Sequence, residues 1–184
     1  MLTFLADLDT ALFRFINITL ANPVTDAVMP FVTHREHWLL AVILAIGILI
    51  HSHKLKSVPI LLGVAIVFAA CDQASAHLIK PLVDRVRPCN VVPDVHLLVG
   101  CTEARSFPSA HATNSLGCAV FLAWSVPRWR WVYFALALLV SLSRVFVGVH
   151  YPLDVVGGWC LGGLIAAGMI NVFKLLHHSG GART

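Results

Sequence analysis

Trp38-Leu-Leu-Ala-Val-Ile-Leu-Ala-Ile-Gly-Ile-Leu-Ile50 carries no charge, and His51-Ser-His-Lys-Leu-Lys56 closes it with a basic cluster. An apolar run that stops at Lys and His reads as a helix crossing lipid, its polar end in water. About 20 mostly apolar residues span a bilayer, fewer where snorkelling side chains mark the ends. Residues 37–51 form the shortest of five such runs; the others are 57–79, 109–126, 131–149 and 154–176. Of the 184 residues, 58% are hydrophobic and 12% charged, against about 25% charged in soluble domains. A chain this short and apolar cannot hide its surplus in one soluble core. The fold class is therefore all-α: one unit over residues 1–184, a polytopic membrane helix bundle with about five spanning helices.

Residues 3–20 read as an amphipathic helix with Asp7, Thr10, Arg14 and Asn17 on a polar stripe. Leu5, Leu8, Leu12, Phe15 and Ile16 face the other way. The pattern suits a helix lying in the interface, broken at Asn22-Pro23 and followed by a short helix over 24–33. Residues 1–33 thus form an interfacial segment. With no basic stretch at the start, and with Asp7 and Asp9 in the first apolar run, a signal peptide is not expected.

Five alternating spans place two polar segments, 80–108 and 143–153, on the same side as the N-terminal segment. The opposite side receives Lys54, Lys56, Arg128, Arg130, Lys174 and Arg183 and none of the nine acids. By the positive-inside rule that side is cytoplasmic, together with the C-terminus, and the polar segments face the periplasm or cell exterior. Trp38, Trp124, Trp129 and Trp131 sit near span ends, as an aromatic belt does. The net charge of +4 points to anionic lipid. Nucleic acid is not an expected partner, because no Lys/Arg-rich run or aromatic–basic interleaving occurs.

Cys71, Cys118 and Cys160 fall inside spans and read as buried small apolar residues. Cys89 and Cys101 share the outward loop, where an oxidising compartment favours a disulfide; two free thiols are the alternative. Such a bridge would constrain the unfolded chain by roughly 3 kcal/mol. Gly158 and Gly162 give a small-xxx-small spacing suited to close helix packing.

The chemistry concentrates in the outward segments. Lys80, Arg87 and Arg144 are cations at span ends, expensive there unless solvated or met by anions. Guanidinium forks match phosphate oxygens and lysine adds a point charge. Ser109-Ala110-His111 opens a helix after Pro108, so free backbone N–H groups and the helix dipole favour an anion there. His150 and Asp154 are four apart and share a face if that turn is helical. A carboxylate on one ring nitrogen fixes the tautomer and leaves the other free to attack phosphorus. His111 can protonate the leaving oxygen. This set suits phosphoryl transfer with no metal or cofactor.

Lys80, Arg87 and Pro88, then Pro108, Ser109 and His111, then Ser143, Arg144, His150 and Asp154 resemble three motifs of the type 2 phosphatidic acid phosphatase superfamily. These motifs are K-x6-R-P, P-S-G-H and S-R-x5-H-x3-D. Ala110 replaces the usual glycine, which puts in doubt any role needing a positive φ there. The resemblance implies His150 as nucleophile, His111 as acid and Asp154 as the group orienting His150. It implies Lys80, Arg87, Ser109, Arg144 and the backbone at Ala110 as the phosphate cradle. It implies a lipid phosphate substrate: undecaprenyl diphosphate, phosphatidylglycerophosphate, phosphatidic acid or lipid A 1-phosphate. The outward pocket suits entry from the outer leaflet, and with the expected disulfide it points to a bacterial inner membrane. A lipid-to-lipid phosphotransferase, a non-catalytic lipid-phosphate carrier and a haloperoxidase are the alternatives.

The remaining polar residues read more plainly. His51, His53, His177 and His178 are solvated at the cytoplasmic end, and His34, His37 and His96 face outward outside any motif. Asp72, inside a span, calls for a salt bridge or hydrogen bond within the bundle. Arg85 and Arg105 form a solvated face or steer anionic substrate.

Overall fold

The computed structural model describes residues 2–102 and 105–181, the side chains of Leu2 and 177–181 excepted. Arg183 and the side chains of His177 and His178, expected at the cytoplasmic end, lie outside what is described. No strand occurs among the described residues.

α1 (Leu2–Arg14) runs on into a π-helical turn, Phe15–Thr19. Asn22 then caps α2 (Pro23–Thr33): its side chain accepts from the Val24 and Thr25 N–H groups, and Pro23 needs no partner in the first turn. The first two apolar runs fold into a hairpin. α3 (Leu39–His53) ends where Lys54 takes φ 51°, and α4 (Ser57–Gln73) returns. α4 continues through a π-helical stretch, Ala74–Ile79, into the single turn α5 (Lys80–Val83). α6 (Pro88–Val91) opens the outward loop. α7 (Ala110–Ser125), α8 (Arg130–Phe146) and α9 (Pro152–Gly181) complete the bundle.

The five expected spans thus correspond to α3, α4, α7, α8 and α9. Residues 35–91, 127–146 and 152–176 are long and apolar enough to cross a membrane; α7 has 16 residues. α7 is central, packed by α4, α8 and α9. α9 comes closest because its glycines leave room: a Cβ at Gly162 would lie 2.2 Å from the Thr113 carbonyl, and one at Gly158 2.7 Å from that of Ser109. One core cluster, Val67, Cys71, Phe121 and Ala166, fills the middle of the bundle. A second, Phe13, Ala112, Val145, Tyr151 and Val155, lies directly beneath the polar end. α3 stands apart, with no buried residue. Of the three intramembrane cysteines Cys71 is buried, but Cys160 is exposed on the outer face of α9, contrary to expectation.

The N-terminal segment is more than an interfacial float. Leu5, Leu8, Leu12 and Phe15 are exposed as the stripe requires, but Asp9, Phe13 and Asn17 form a buried row at i, i+4, i+8. Burying Phe13 fully contributes about 2–3 kcal/mol. The Asn17 amide donates to the His96 and Phe146 carbonyls at 2.8 Å each and accepts from His96 N at 2.9 Å. It therefore fastens both the end of α8 and the outward loop. Cys89 and Cys101 are joined in that loop, their Cα atoms 6.2 Å apart.

Candidate active site

The three motifs arrive at one end of the bundle from helices and turns well separated in the sequence. Lys80 is carried by α5, Arg87 by the start of the outward loop, Ser109 and His111 by the N-terminus of α7, and Arg144 by the last turn of α8. His150 lies in the turn before α9. That turn needs Gly148, whose φ is +86° and where a Cβ would sit 2.8 Å from Val95. Asp154 is in the first turn of α9.

His150 is buried between two partners of opposite sign. Its Nδ1 faces Asp154 Oδ2 at 3.4 Å and its Nε2 faces an Arg87 guanidinium nitrogen at 3.2 Å. A guanidinium only donates, so Nε2 is the acceptor and the proton sits on Nδ1. Burial lowers the His150 pKa from 6.5 to about 4; Asp154 opposes that fall, while Arg87 and Arg144 add to it. The ring is therefore neutral near pH 7, with its Nε2 lone pair aimed at the cations. Arg87 also donates to the Val149 carbonyl at 3.1 Å. Lys80 is an electrostatic neighbour of Arg87, Arg144 and Asp154, so all three cations converge as expected.

Ser109 is the residue preceding α7, and its N–H donates to the Asp154 carbonyl at 2.9 Å, which joins the second motif to the third. Ala110 is an ordinary helical residue; the positive-φ non-glycine residues among those described are Lys54, Asp84 and Asp94. The glycine usual at this position is thus not required for backbone conformation. His111 hydrogen-bonds the Thr33 backbone and is an electrostatic neighbour of Arg144, His150 and Lys80.

Three contributors escaped the sequence reading. Arg85, expected on a solvated or steering face, instead bridges two buried carboxylates. It donates to Asp154 Oδ1 at 2.8 Å and to Asp9 Oδ2 at 2.6 Å, and it stacks 3.9 Å over the Tyr151 ring. Asp9 also accepts from Leu153 N at 2.9 Å, and Asp154 from Tyr151 N at 2.9 Å, so both carboxylates cap α9. Burial raises the Asp9 pKa, outweighing the Leu153 and Arg85 hydrogen bonds that lower it. Thr33, at the end of α2, hydrogen-bonds the Arg144 guanidinium. The i, i+4 row of Asp9 with Phe13 and Asn17 was the one available signal, and it was overshadowed by the Asp7 stripe.

Arg105 pairs with Asp84. His96 meets Asp26 at 2.9 Å, and His37 Nδ1 meets the Phe31 carbonyl at 2.8 Å. Asp72 accepts from Asn114 Nδ2 at 3.2 Å, the intramembrane hydrogen bond it called for. Among the described residues no group of three His, Cys, Asp or Glu side chains is placed to hold a metal.

His111 stands where two cavities meet. A mouth of about 310 Å³, lined by Thr33, Arg35, Val99 and Arg144 among others, opens at the polar end. A larger cleft of about 540 Å³ runs down between α3 and the α4, α7 and α8 walls, with Trp38, Leu39, Val42, Phe68 and Val140 along it. An anion at the cations and an apolar chain in the cleft can therefore belong to one molecule.

The chain is 34% identical over 171 residues to a lipid A 4'-phosphatase of Bacteroides thetaiotaomicron, covering 89% of this chain and 76% of that protein. It is 43% identical over 88 residues to an undecaprenyl-diphosphatase of Sulfolobus acidocaldarius, covering 47% of this chain and 43% of that one. Its structure superposes on the crystal structure of a transmembrane PAP2-type phosphatidylglycerolphosphate phosphatase from Bacillus subtilis with a TM-score of 0.71. That match is 27% identical and covers 92% of this chain and 86% of that one. The PAP2 superfamily profile matches residues 36–177, well over half of the sequence and all of the motif residues, and the chain belongs to that superfamily.

Proposed function

We propose that this chain is a membrane lipid phosphatase that cleaves a lipid phosphate or diphosphate through a phosphohistidine on His150. The observation that carries the reading is a pair of orphaned donors. Ser109 Oγ and Arg144 Nε are buried and have no hydrogen-bond partner among the described residues. Leaving such groups unsatisfied costs about 1–3 kcal/mol each. They sit in the motif residues around Lys80, Arg87 and His150, and a phosphate oxygen satisfies both.

Phosphate entering the cradle draws the Arg87 guanidinium from His150 Nε2 onto its own oxygens and frees the lone pair. Nε2 forms the N–P bond as the P–O bond to the lipid breaks, and His111 delivers its proton to the departing oxygen. Asp154 holds Nδ1–H and balances the imidazolium that forms. Water then attacks phosphorus, His111 takes its proton, the N–P bond breaks, and inorganic phosphate leaves by the outward mouth. Positioning and charge stabilisation supply most of the catalysis in such a transfer. The basic residues Lys54, Lys56, Arg128, Arg130 and Lys174 at the opposite end support a site that faces away from the cytoplasm.

The test is phosphate release by purified protein in detergent with EDTA present, beside His150→Ala. The panel is undecaprenyl diphosphate, phosphatidylglycerophosphate, phosphatidic acid and lipid A. Release that survives EDTA and vanishes in the variant is expected. Label from a ³²P-lipid should remain on the wild-type protein in an acid-labile bond. Metal-dependent release, or full activity of His150→Ala, refutes the mechanism.

A further inference from the structure

A polar pair inside the apolar cleft has no part in the mechanism above. Asn114 lies one turn beyond His111 on α7, about 4.5 Å deeper into the bundle. Its Nδ2 donates to Asp72 Oδ1 at 3.2 Å across from α4. Its Oδ1 is buried and has no partner among the described residues. Both side chains line the same cleft as His111. A carboxylate and an unsatisfied amide oxygen at membrane depth are costly, and groups retained there commonly meet a ligand.

From this we infer that Asp72 and Asn114 form a specificity subsite for an uncharged hydrogen-bond donor, a hydroxyl or amide N–H, carried by the substrate lipid a few bonds from its phosphate. The inference rests on the lipid-phosphatase reading and narrows it. With the phosphate on the cations and the leaving oxygen at His111, atoms two to four bonds beyond that oxygen come level with Asn114. The groups presented there are acceptors: Asn114 Oδ1 and the Asp72 carboxylate. Ester carbonyls cannot satisfy acceptors, isoprenoid carbon has nothing to donate, and an anionic leaving group meets the carboxylate unfavourably. A site built to hydrogen-bond a substrate group discriminates strongly against analogues that lack it. The competing structural role is that Asp72 serves as distant counter-charge to Lys80, with which it interacts electrostatically.

The experiment compares kcat/KM for two lipid monoesters of matched chain length. Ceramide 1-phosphate carries an amide N–H and a hydroxyl beside the phosphate; phosphatidic acid carries ester carbonyls in their place. p-Nitrophenyl phosphate reports the phosphate cradle without a lipid. The wild type is expected to favour the donor-bearing lipid at least tenfold. Asp72→Leu/Asn114→Leu, which removes both polar partners and leaves no lone carboxylate, should bring that ratio to within threefold of unity. A wild-type ratio near one overturns the subsite, and this arm needs no variant to fold. A ratio unchanged in the double variant also overturns it. So does an equal loss on both lipids and on p-nitrophenyl phosphate, which assigns Asp72 to Lys80. Folded wild type that cleaves a lipid of the panel above but neither of these two overturns the subsite alone; no release from any of these lipids refutes the phosphatase reading itself.

Discussion

Arg85→Gln is the most informative single change. In the wild type one guanidinium stands between Asp9, 1% exposed, and Asp154, 0% exposed, at 2.6 and 2.8 Å. Glutamine keeps some donors but removes the positive charge that bridges the two buried carboxylates. Removing one partner from a buried ion pair typically costs about 3–5 kcal/mol. Against a usual total of about 5–15 kcal/mol, the protein still folds but melts earlier. The same cost falls on catalysis, because Asp154 loses the anchor that aims its other oxygen at His150 Nδ1. If about 3 kcal/mol of it appears in the transition state, kcat falls by about 10²-fold. A carboxylate pair without its cation also takes up a proton more readily, so the acid limb of the kcat–pH profile moves to higher pH. Adding Asp9→Asn to Arg85→Gln removes one of the two orphaned charges and should recover part of both losses. The assay is phosphate release from pH 5 to 9, with kcat and KM separated, alongside melting temperature. A normal kcat and pH profile with only a raised, salt-sensitive KM would refute this reasoning. That outcome would return Arg85 to the steering role its sequence position suggested.

Other outcomes follow from the same geometry. His150 has a folded pKa of about 4 against an ordinary 6.5, so the unfolded chain binds its proton first as pH falls. Stability from this group is complete above about pH 6.5 and is lost progressively toward pH 4, by about 3 kcal/mol in all. Melting curves of ligand-free protein should show that slope, and His150→Gln should flatten it; equal slopes would exclude the effect. Reducing Cys89–Cys101 should cost roughly 3 kcal/mol. Melting with and without reductant checks this, with Cys89→Ser/Cys101→Ser matching the reduced wild type.

Local sequence carried much of this protein. The five apolar runs, their basic closures and the Asn22-Pro23 break sit within windows of a few turns, where hydropathy and capping act directly. The motif residues Lys80, Arg87, Ser109, Arg144, His150 and Asp154 were legible as a set: three cations, a histidine, an aspartate and a helix start on one membrane face, at the family's spacing, suit an anion, whereas each alone does not. The Gly158–Gly162 spacing pointed to close packing without naming α7 as the partner. What stayed hidden was pairing across distance. Arg85 reaches Asp9 over 76 positions and Asp154 over 69. Arg144 reaches Thr33 over 111, and Asn114 reaches Asp72 over 42. A helical period tells which side of a helix is polar, but not which element will pack against it. In this bundle that choice depends on which glycines let α9 approach α7 and on Phe13 drawing α1 down over the site. Folding alone therefore turns Asp9 and Arg85, unremarkable in the sequence, into the support of the catalytic carboxylate.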